Sequence, residues 1–257
     1  MPTYWEYLKI DELLSLQQPR GDDHDETLFI IIHQSYELWF KEMLHELDYF
    51  QKLLAESDLP RAFHTMKRIL TILKMMVAKI DILETMTPLE FLAFRERLES
   101  GSGFQSAQFR ELEFVLGHKR RAMVDHFPAG SRARAALERR YPQPTVWDAF
   151  ARFLANCDFP VPDDVLKRDP TQPIQPSAGM QEVLIRVYRS DPSLASLCER
   201  MVDLDEGMQE WRYRHVKMVE RTIGTKRGTG GSEGAEYLRT TLMRPLFPDL
   251  WEIRTSF

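Results

Sequence analysis

Two long stretches of apolar residues at helical spacing constrain the fold of this chain more than any other sequence feature. In the first stretch, within residues 26–55, the apolar positions lie mostly three or four apart: Phe29, Ile32, Tyr36, Phe40, Met43, Leu47 and Leu54. The second stretch repeats the pattern with Phe63, Met66, Leu70, Leu73, Val77, Ile80 and Leu83. Each stretch predicts a helix of about seven turns.

Local signals predict where shorter helices begin and end. Thr87–Glu90 and Thr145–Asp148 have the composition of capping boxes, in which a side chain at each end of the tetrapeptide satisfies a backbone N–H of the other. Gly117 closes a helix predicted over residues 104–117. The Pro-rich stretch Pro160–Gly179 is predicted to be a long loop.

A third long helix is predicted from about Pro192 to Ile223, and its apolar stripe needs a partner surface. No run of alternating apolar and polar residues predicts a strand, and no internal repeat is found. The chain is therefore predicted to be a single all-α domain, residues 1–257, with a helical-bundle core.

Composition favours some functional classes over others. With 34 basic and 39 acidic residues the net charge is −5, which gives no electrostatic reason to expect nucleic-acid binding. Cys157 and Cys198 are the only cysteines, which suits a reducing compartment. The N-terminus lacks the pattern of a signal peptide, and the longest apolar run, "LFIII", is far shorter than the roughly 20 residues that span a bilayer. We therefore expect a cytoplasmic protein with no membrane segment.

The segment Lys226–Gly234, "KRGTGGSEG", contains four of the twelve glycines. It fits neither a P-loop nor a dinucleotide-binding loop, because Glu233 stands where the last glycine should be and a long helix, not a strand, precedes it. One interpretation is a helix end at Gly224 followed by a flexible loop. The other is a backbone that approaches a ligand closely, with the Thr229 hydroxyl offered to a charged group.

Two of the seven histidines lie on apolar stripes of predicted long helices. His215 continues the stripe formed by Leu204, Met208, Trp211, Met218 and Thr222, and His33 lies between Phe29 and Tyr36. Each histidine could simply be a hydrogen-bonded core residue. Alternatively, a neutral imidazole facing an apolar cavity is a suitable proximal ligand for haem iron, and a second one across the cavity could bind a substrate or oxygen.

Arg95, in "FLAFRERL", shares a helix face with Phe91 one turn earlier. A guanidinium beside an aromatic ring can bind a carboxylate in bidentate fashion. The alternative is a surface arginine paired with Glu96 or Glu99.

The chain resembles tryptophan 2,3-dioxygenase, a haem enzyme family, over nearly its whole length. The resemblance is carried by long ordered stretches that include "FIIIHQS", "EFLAFR", "WRYRHVKMV" and "KRGTGG", within residues 4–19, 24–47, 83–117, 211–238 and 247–256. It implies cleavage of the indole C2–C3 bond of L-tryptophan by O2 to give N-formyl-L-kynurenine, with ferrous haem b as cofactor.

The resemblance also implies a role for each candidate residue. His215 matches the proximal haem ligand, and His33 matches the distal histidine that accepts a hydrogen bond from the indole N–H. Arg95 and Thr229 match residues that bind the amino-acid end of the substrate. The remaining matches are to pocket residues: the aromatic walls Phe29 and Phe91, the distal loop residues Ser102 and Gly103, and Tyr4, Tyr7 and Leu8.

In the family, the residues that match Tyr4, Tyr7 and Leu8 enter the pocket of a neighbouring subunit, which implies a homotetramer. Three alternative functions stay open on sequence grounds: a haem-binding sensor or electron-transfer bundle, a helical interaction scaffold without haem, and a related dioxygenase for a substituted indole. The first shares His215 but has no need of Arg95, Thr229 and the Gly-rich loop together, and the second predicts that no haem is bound.

Overall fold

The computed structural model describes residues 1–99, 101–226, 228 and 235–257, and this part of the chain contains helices and no strand. The all-α prediction is confirmed. The α-helices are α1 (Tyr4–Leu8), α2 (Ile10–Leu14), α3 (His24–Ala55), α4 (Leu59–Leu83), α5 (Pro88–Arg95), α6 (Ala107–Val115), α7 (Arg121–Asp125), α8 (Arg132–Arg140), α9 (Val146–Asn156), α10 (Asp163–Leu166), α11 (Ala178–Ser190), α12 (Pro192–Ile223), α13 (Ala235–Arg239) and α14 (Pro248–Glu252). Short 3₁₀ turns occupy Glu96–Leu98, Gly103–Gln105 and Ile253–Ser256.

Helix α4 packs against both α3 and α12. The α3–α4 pair is antiparallel: the Tyr36 hydroxyl donates to the Met76 carbonyl at 2.7 Å, and Arg68 pairs with Glu46 at 2.7 Å. Helices α4 and α12 run in the same direction, and they approach closely at Gly207, where a Cβ atom would lie 2.8 Å from the Leu73 side chain. These contacts fix the positions of α3 and α12 along α4.

One large cluster of buried apolar side chains spans residues Ile32 to Ile253, and a small second cluster lies under α7 and α8. Burial of these side chains is the main favourable contribution to the stability of the fold. Within the described residues, no helix combines the length and the apolar composition needed to cross a bilayer.

The segment that follows α13 is tied to α12 through Asp205. This fully buried carboxylate accepts hydrogen bonds from the N–H groups of Leu246 at 2.8 Å and Phe247 at 3.0 Å, and from the Trp251 indole at 2.9 Å. Because a buried carboxylate is costly without such donors, this contact fixes the segment against α12.

The predicted helix signals are confirmed in part. Both capping boxes form, at Thr87–Glu90 and Thr145–Asp148. The helix predicted over residues 104–117 is shorter, because a 3₁₀ turn ends at Gln105 and the Ser106 hydroxyl caps α6 instead. The Pro-rich stretch is not loop throughout, since α10 lies within it.

Gly117 ends α6 as predicted, in a Schellman motif. Its φ is +103°, its N–H donates to the Phe114 carbonyl, and the next N–H, of His118, donates to the Glu113 carbonyl at 2.8 Å. A Cβ atom at this position would lie 2.5 Å from Cδ1 of Ile174.

We expect Gly117→Ala to lower the free energy of unfolding by about 2–4 kcal/mol, because it adds a steric clash to the cost of a left-handed backbone. The matched control is Gly130→Ala. Gly130 also has a positive φ, of +76°, but nothing lies within 4 Å of its Cβ direction, so we expect a loss of only about 1 kcal/mol. Urea unfolding of the two variants measures the difference, and equal losses would contradict the proposed clash.

Candidate active site

An internal cavity lies between α3, α5, α6 and α12 and has a predominantly apolar lining. It brings together most of the residues that the sequence singled out: Phe29, His33, Phe91, Arg95, Ser102, Gly103 and His215. These residues come from four separate parts of the chain, so their convergence is a property of the fold and not of local sequence.

His215 projects into this cavity from α12, and its ring stacks on Trp211 with centroids 5.1 Å apart and planes inclined by 5°. The ring keeps some accessible surface, but that surface opens into the cavity and protein surrounds the side chain. Burial, with smaller contributions from His33 and Arg110, lowers the pKa of His215 to about 4. The imidazole is therefore neutral at physiological pH.

His33 lies on α3 and lines the same cavity. Its Nδ1 atom is 2.7 Å from the Phe29 carbonyl oxygen. Because a carbonyl only accepts hydrogen bonds, Nδ1 must carry the proton, and Nε2 is left as an acceptor. Burial lowers the pKa of His33, which favours this neutral form.

Aromatic rings form one wall of the cavity next to His33. The Phe29 ring lies 4.0 Å from the His33 ring and 5.8 Å from Phe91, while Phe94 contacts both phenylalanines at 5.4 Å. Phe94 is fully buried and was not singled out from the sequence. Its position three residues after Phe91 places it on the same helix face, which is the signal that could have found it.

Arg95 and the distal loop, which contains Ser102 and Gly103, line another side of the cavity. Arg95 is the last residue of α5 and lines the cavity. Ser102 and Gly103 also line it, and the Ser102 hydroxyl accepts a hydrogen bond from the Phe104 N–H at 3.3 Å. Thr229 lies outside the described residues, although its neighbour Gly228 lines the cavity.

Tyr4, Tyr7 and Leu8 are the predicted site residues that do not line the cavity of their own chain. They belong to α1, which has no buried residue, and both tyrosines are 75% exposed. Within one chain, the structure therefore leaves these side chains on the surface.

A buried cluster of charges, which the sequence reasoning missed, borders the cavity. Glu113 accepts from Arg110 at 2.7 Å and from Arg120 at 2.8 Å, and Arg212 lies 3.7 Å away. Burial alone would raise the pKa of Glu113, but the three guanidinium charges outweigh it and hold that pKa below its usual value. Three cations around one carboxylate leave an excess of positive charge. The available signal was Glu113, a charged residue between Leu112 and Phe114 in the sequence.

His118 connects this charge cluster to the segment before α14. Its Nδ1 atom lies 2.8 Å from the Arg212 guanidinium, and its ring also bonds to the backbone of Pro245. Burial, reinforced by the charge of Arg212, lowers the pKa of His118 to about 4.

Comparison with known proteins identifies the family of the chain. A sequence profile of the tryptophan 2,3-dioxygenase family matches residues 2–133 and 163–257. The chain belongs to the tryptophan 2,3-dioxygenase family.

Several relatives named tryptophan 2,3-dioxygenase align with nearly the whole chain. The tryptophan 2,3-dioxygenase of Herpetosiphon aurantiacus is 59% identical over 256 residues, which are 99% of this chain and 98% of the relative. That of Anaeromyxobacter sp. strain K is 54% identical over 252 residues, 98% of this chain and 95% of the relative. That of Caulobacter vibrioides is 44% identical over 258 residues, 99% and 98% of the two chains.

The buried histidines predict how stability depends on pH. An unfolded histidine has a pKa of about 6.5, whereas His118 and His215 have pKa values of about 4 in the fold. The unfolded state therefore binds more protons between these values, so the free energy of unfolding falls as the pH falls from about 6.5 to about 4. We expect His118→Gln to reduce this slope by up to about 1.4 kcal/mol per pH unit. Urea titrations of both proteins across this range measure it, and parallel curves would contradict the buried neutral state of His118.

Proposed function

We propose that this chain catalyses the cleavage of the indole C2–C3 bond of L-tryptophan by O2, which gives N-formyl-L-kynurenine, the first step of tryptophan degradation by the kynurenine pathway. The observation that carries the proposal is the cavity itself, where two neutral imidazoles from α3 and α12 and the Arg95 guanidinium converge in a chain of this family.

The cofactor of the proposed reaction is haem b, in keeping with the general haem dependence of the family. The residues present fit this group. The neutral imidazole of His215 has a lone pair available for iron, and in the described part of the chain no hydrogen bond occupies it. The apolar cavity lining suits a porphyrin. When bound, the haem iron supplies the activation of O2.

Two further features support a haem site, because haem b carries two carboxylates. The Nε1 atom of Trp211 is buried and makes no hydrogen bond of normal length and angle among the described residues. It interacts only weakly with the Tyr36 hydroxyl, so a better acceptor would stabilise it. Arg110 and Arg212 line the same cavity and contribute to its excess of positive charge. These three donors would hold the haem carboxylates, while His215 would hold the iron.

In this proposal, Arg95 binds the substrate carboxylate. A guanidinium in a largely apolar cavity pairs strongly with a carboxylate, and an indole that lacks a carboxylate would leave the charge of Arg95 unmatched. We propose that Thr229 also contacts the amino-acid end, and that Ser102 and Gly103 of the distal loop complete the substrate pocket.

His33 is proposed to orient the indole ring. With the proton held on Nδ1 by the Phe29 carbonyl, Nε2 can accept a hydrogen bond from the indole N–H. The rings of Phe29 and Phe91 would pack against the indole and keep water away from it. Fixing both ends of the substrate in this way places C2 and C3 for reaction, which is where the protein can contribute most to the rate.

The reaction balances without an external reductant. The C2–C3 bond and the O–O bond break, and each carbon gains one oxygen atom as a carbonyl. Both oxygen atoms of O2 enter the product, so no electrons from a separate donor are consumed.

We also propose a homotetramer of single-domain chains, residues 1–257, in which the exposed Tyr4, Tyr7 and Leu8 enter the pocket of a neighbouring subunit. The exposure of α1 supports this assignment, because several large apolar side chains exposed together on a short segment are typical of a protein interface. A cytoplasmic location is a prediction that the two free thiols, Cys157 and Cys198, support.

The test of the reaction uses isotope-labelled oxygen. Protein purified from haem-supplemented cells, reduced and given L-tryptophan under ¹⁸O2, is expected to release N-formylkynurenine carrying both labelled atoms, as measured by mass spectrometry. His215→Ala is expected to lose haem or all activity. A haem spectrum without this product, or a fully active His215→Ala protein, would refute the proposed reaction or the ligand assignment respectively.

The carboxylate-binding role of Arg95 makes a separate prediction. We expect Arg95→Ala to raise KM for L-tryptophan by about 10- to 100-fold, because a charge-assisted hydrogen bond made in the bound state is lost. Arg152→Ala is the matched control, since Arg152 is exposed on α9 and does not line the cavity. Steady-state kinetics measure both, and an unchanged KM in Arg95→Ala would remove Arg95 from the substrate site.

A further inference from the structure

Arg97 lies two residues after Arg95, on the 3₁₀ turn Glu96–Leu98, and its side chain points away from the cavity toward the start of α3. Its guanidinium forms an ion pair with Asp23, and its Nη2 atom lies 3.5 Å from Oε2 of Glu26. Asp23 precedes α3 and Glu26 lies in its first turn. Arg97, two residues after the proposed substrate-binding residue Arg95, therefore contacts the start of the helix that carries His33.

Glu26 is the centre of this contact and is buried. Its Oε1 atom accepts from the N–H of Arg20 at 2.9 Å, and its Oε2 atom accepts from the N–H of Gly21 at 3.1 Å. Arg20 in turn donates to the Arg97 carbonyl and to Glu99, both at 2.9 Å. The chain before α3, the first turn of α3 and the turn after α5 are thus joined by one set of polar contacts.

The Arg97 guanidinium packs closely against Gly21. A Cβ atom at Gly21 would lie 2.6 Å from Cζ of Arg97 and 2.8 Å from its Nε. Any side chain larger than hydrogen would therefore push the guanidinium off its carboxylates. Gly21 has an ordinary backbone conformation, so the need for glycine here is the space that Arg97 occupies.

The position of α5 depends on such tertiary contacts. Helix α5 has eight residues, which is too short to be stable alone in water. Ring contacts between Phe29 and the rings of Phe91 and Phe94 also join α5 to α3. Ring packing tolerates sliding, whereas a charge-assisted hydrogen bond fixes direction and distance.

We propose that Arg97, seated on Gly21 and paired with Glu26 and Asp23, is a positioning residue that sets the place of Arg95 relative to His33. This inference rests on the proposed function, because it assumes that Arg95 binds the substrate carboxylate. Arg97 does not touch the substrate; it acts only through Arg95. Glu26 and His33 lie seven residues, about two helical turns, apart on the same face of α3, so the contact transmits the register of α3 directly to the end of α5.

The expected result concerns substrate binding and not the haem. We expect Arg97→Met to raise KM and the calorimetric Kd for L-tryptophan about tenfold or more, since a displacement of about 1 Å is enough for such losses. Gly21→Ala keeps every charge and should raise both constants in the same direction, because it only displaces the guanidinium. Arg97→Lys should restore part of the affinity, as an ammonium can pair with one carboxylate.

The matched control is Arg140→Met. Arg140 forms an ion pair with Asp48 of α3, with bonds of 2.6 and 2.8 Å, but at the end of α3 remote from the cavity. The Arg140→Met variant loses a comparable contact to α3. We expect its KM for L-tryptophan to match that of the unmodified protein. Melting temperatures of both variants show whether a change in KM follows from general loosening of the fold.

A double variant separates positioning from general stability. If Arg97 acts through Arg95, adding Arg97→Met to Arg95→Ala should leave KM where Arg95→Ala alone puts it, because interacting residues are not additive. Multiplied effects, or an Arg97→Met protein that behaves like Arg140→Met, would overturn the inference. If Arg97→Met does not fold, Gly21→Ala decides the question by the same comparison.

Failure of the underlying function is distinguishable from failure of this inference. An unmodified protein that forms no N-formylkynurenine refutes the proposed reaction. An Arg95→Ala protein with unchanged KM refutes the carboxylate site and the role of Arg97 with it. An active protein in which Arg95→Ala raises KM and Arg97→Met does not refutes the positioning role alone.

Discussion

The packing of α4 against both α3 and α12 is the constraint on which the rest of the structure depends. His33 and His215 lie far apart in sequence, on α3 and α12. Neither helix alone would place its imidazole opposite the other. Because both helices pack along α4, with contacts such as Tyr36 to Met76 and Gly207 to Leu73 fixing the register, the two imidazoles line one cavity. The chemistry of the site therefore follows from helix packing far from the reacting atoms.

A largely apolar cavity makes unpaired polar groups in it energetically costly, and the structure shows three ways in which that cost is reduced. His215 stays neutral, because burial lowers its pKa. The Nδ1 atom of His33 is hydrogen-bonded to the Phe29 carbonyl of the same helix. Glu113 stays charged because guanidinium groups from Arg110 and Arg120 bond to it. The buried Trp211 N–H, by contrast, makes no hydrogen bond of normal length and angle among the described residues, which suits a group that binds a ligand.

Sequence reasoning succeeded where the cause is local. The helical period of residues 26–55, the capping boxes and the turn at Gly117 each depend on contacts within one or two turns. It also singled out His33, Arg95 and His215, which line one cavity in the structure, because each interrupts or ends an apolar helix face. It failed where partners come from distant segments: the Arg212–His118 bond joins residues 94 positions apart, and the Arg97–Glu26 contact joins residues 71 apart. No pattern along the chain encodes such pairs.

The contact made by Asp205 has a consequence for how the protein is made. A nascent chain that has reached Ile223 already contains both cavity histidines, but the donors of Leu246, Phe247 and Trp251 have not yet been synthesised. Until they are, α12 carries a carboxylate that cannot be buried without a large loss of hydration energy. The buried hydrogen-bonded state of Asp205 can therefore form only after translation has passed Trp251, so this contact between α12 and the C-terminal segment is made late in synthesis.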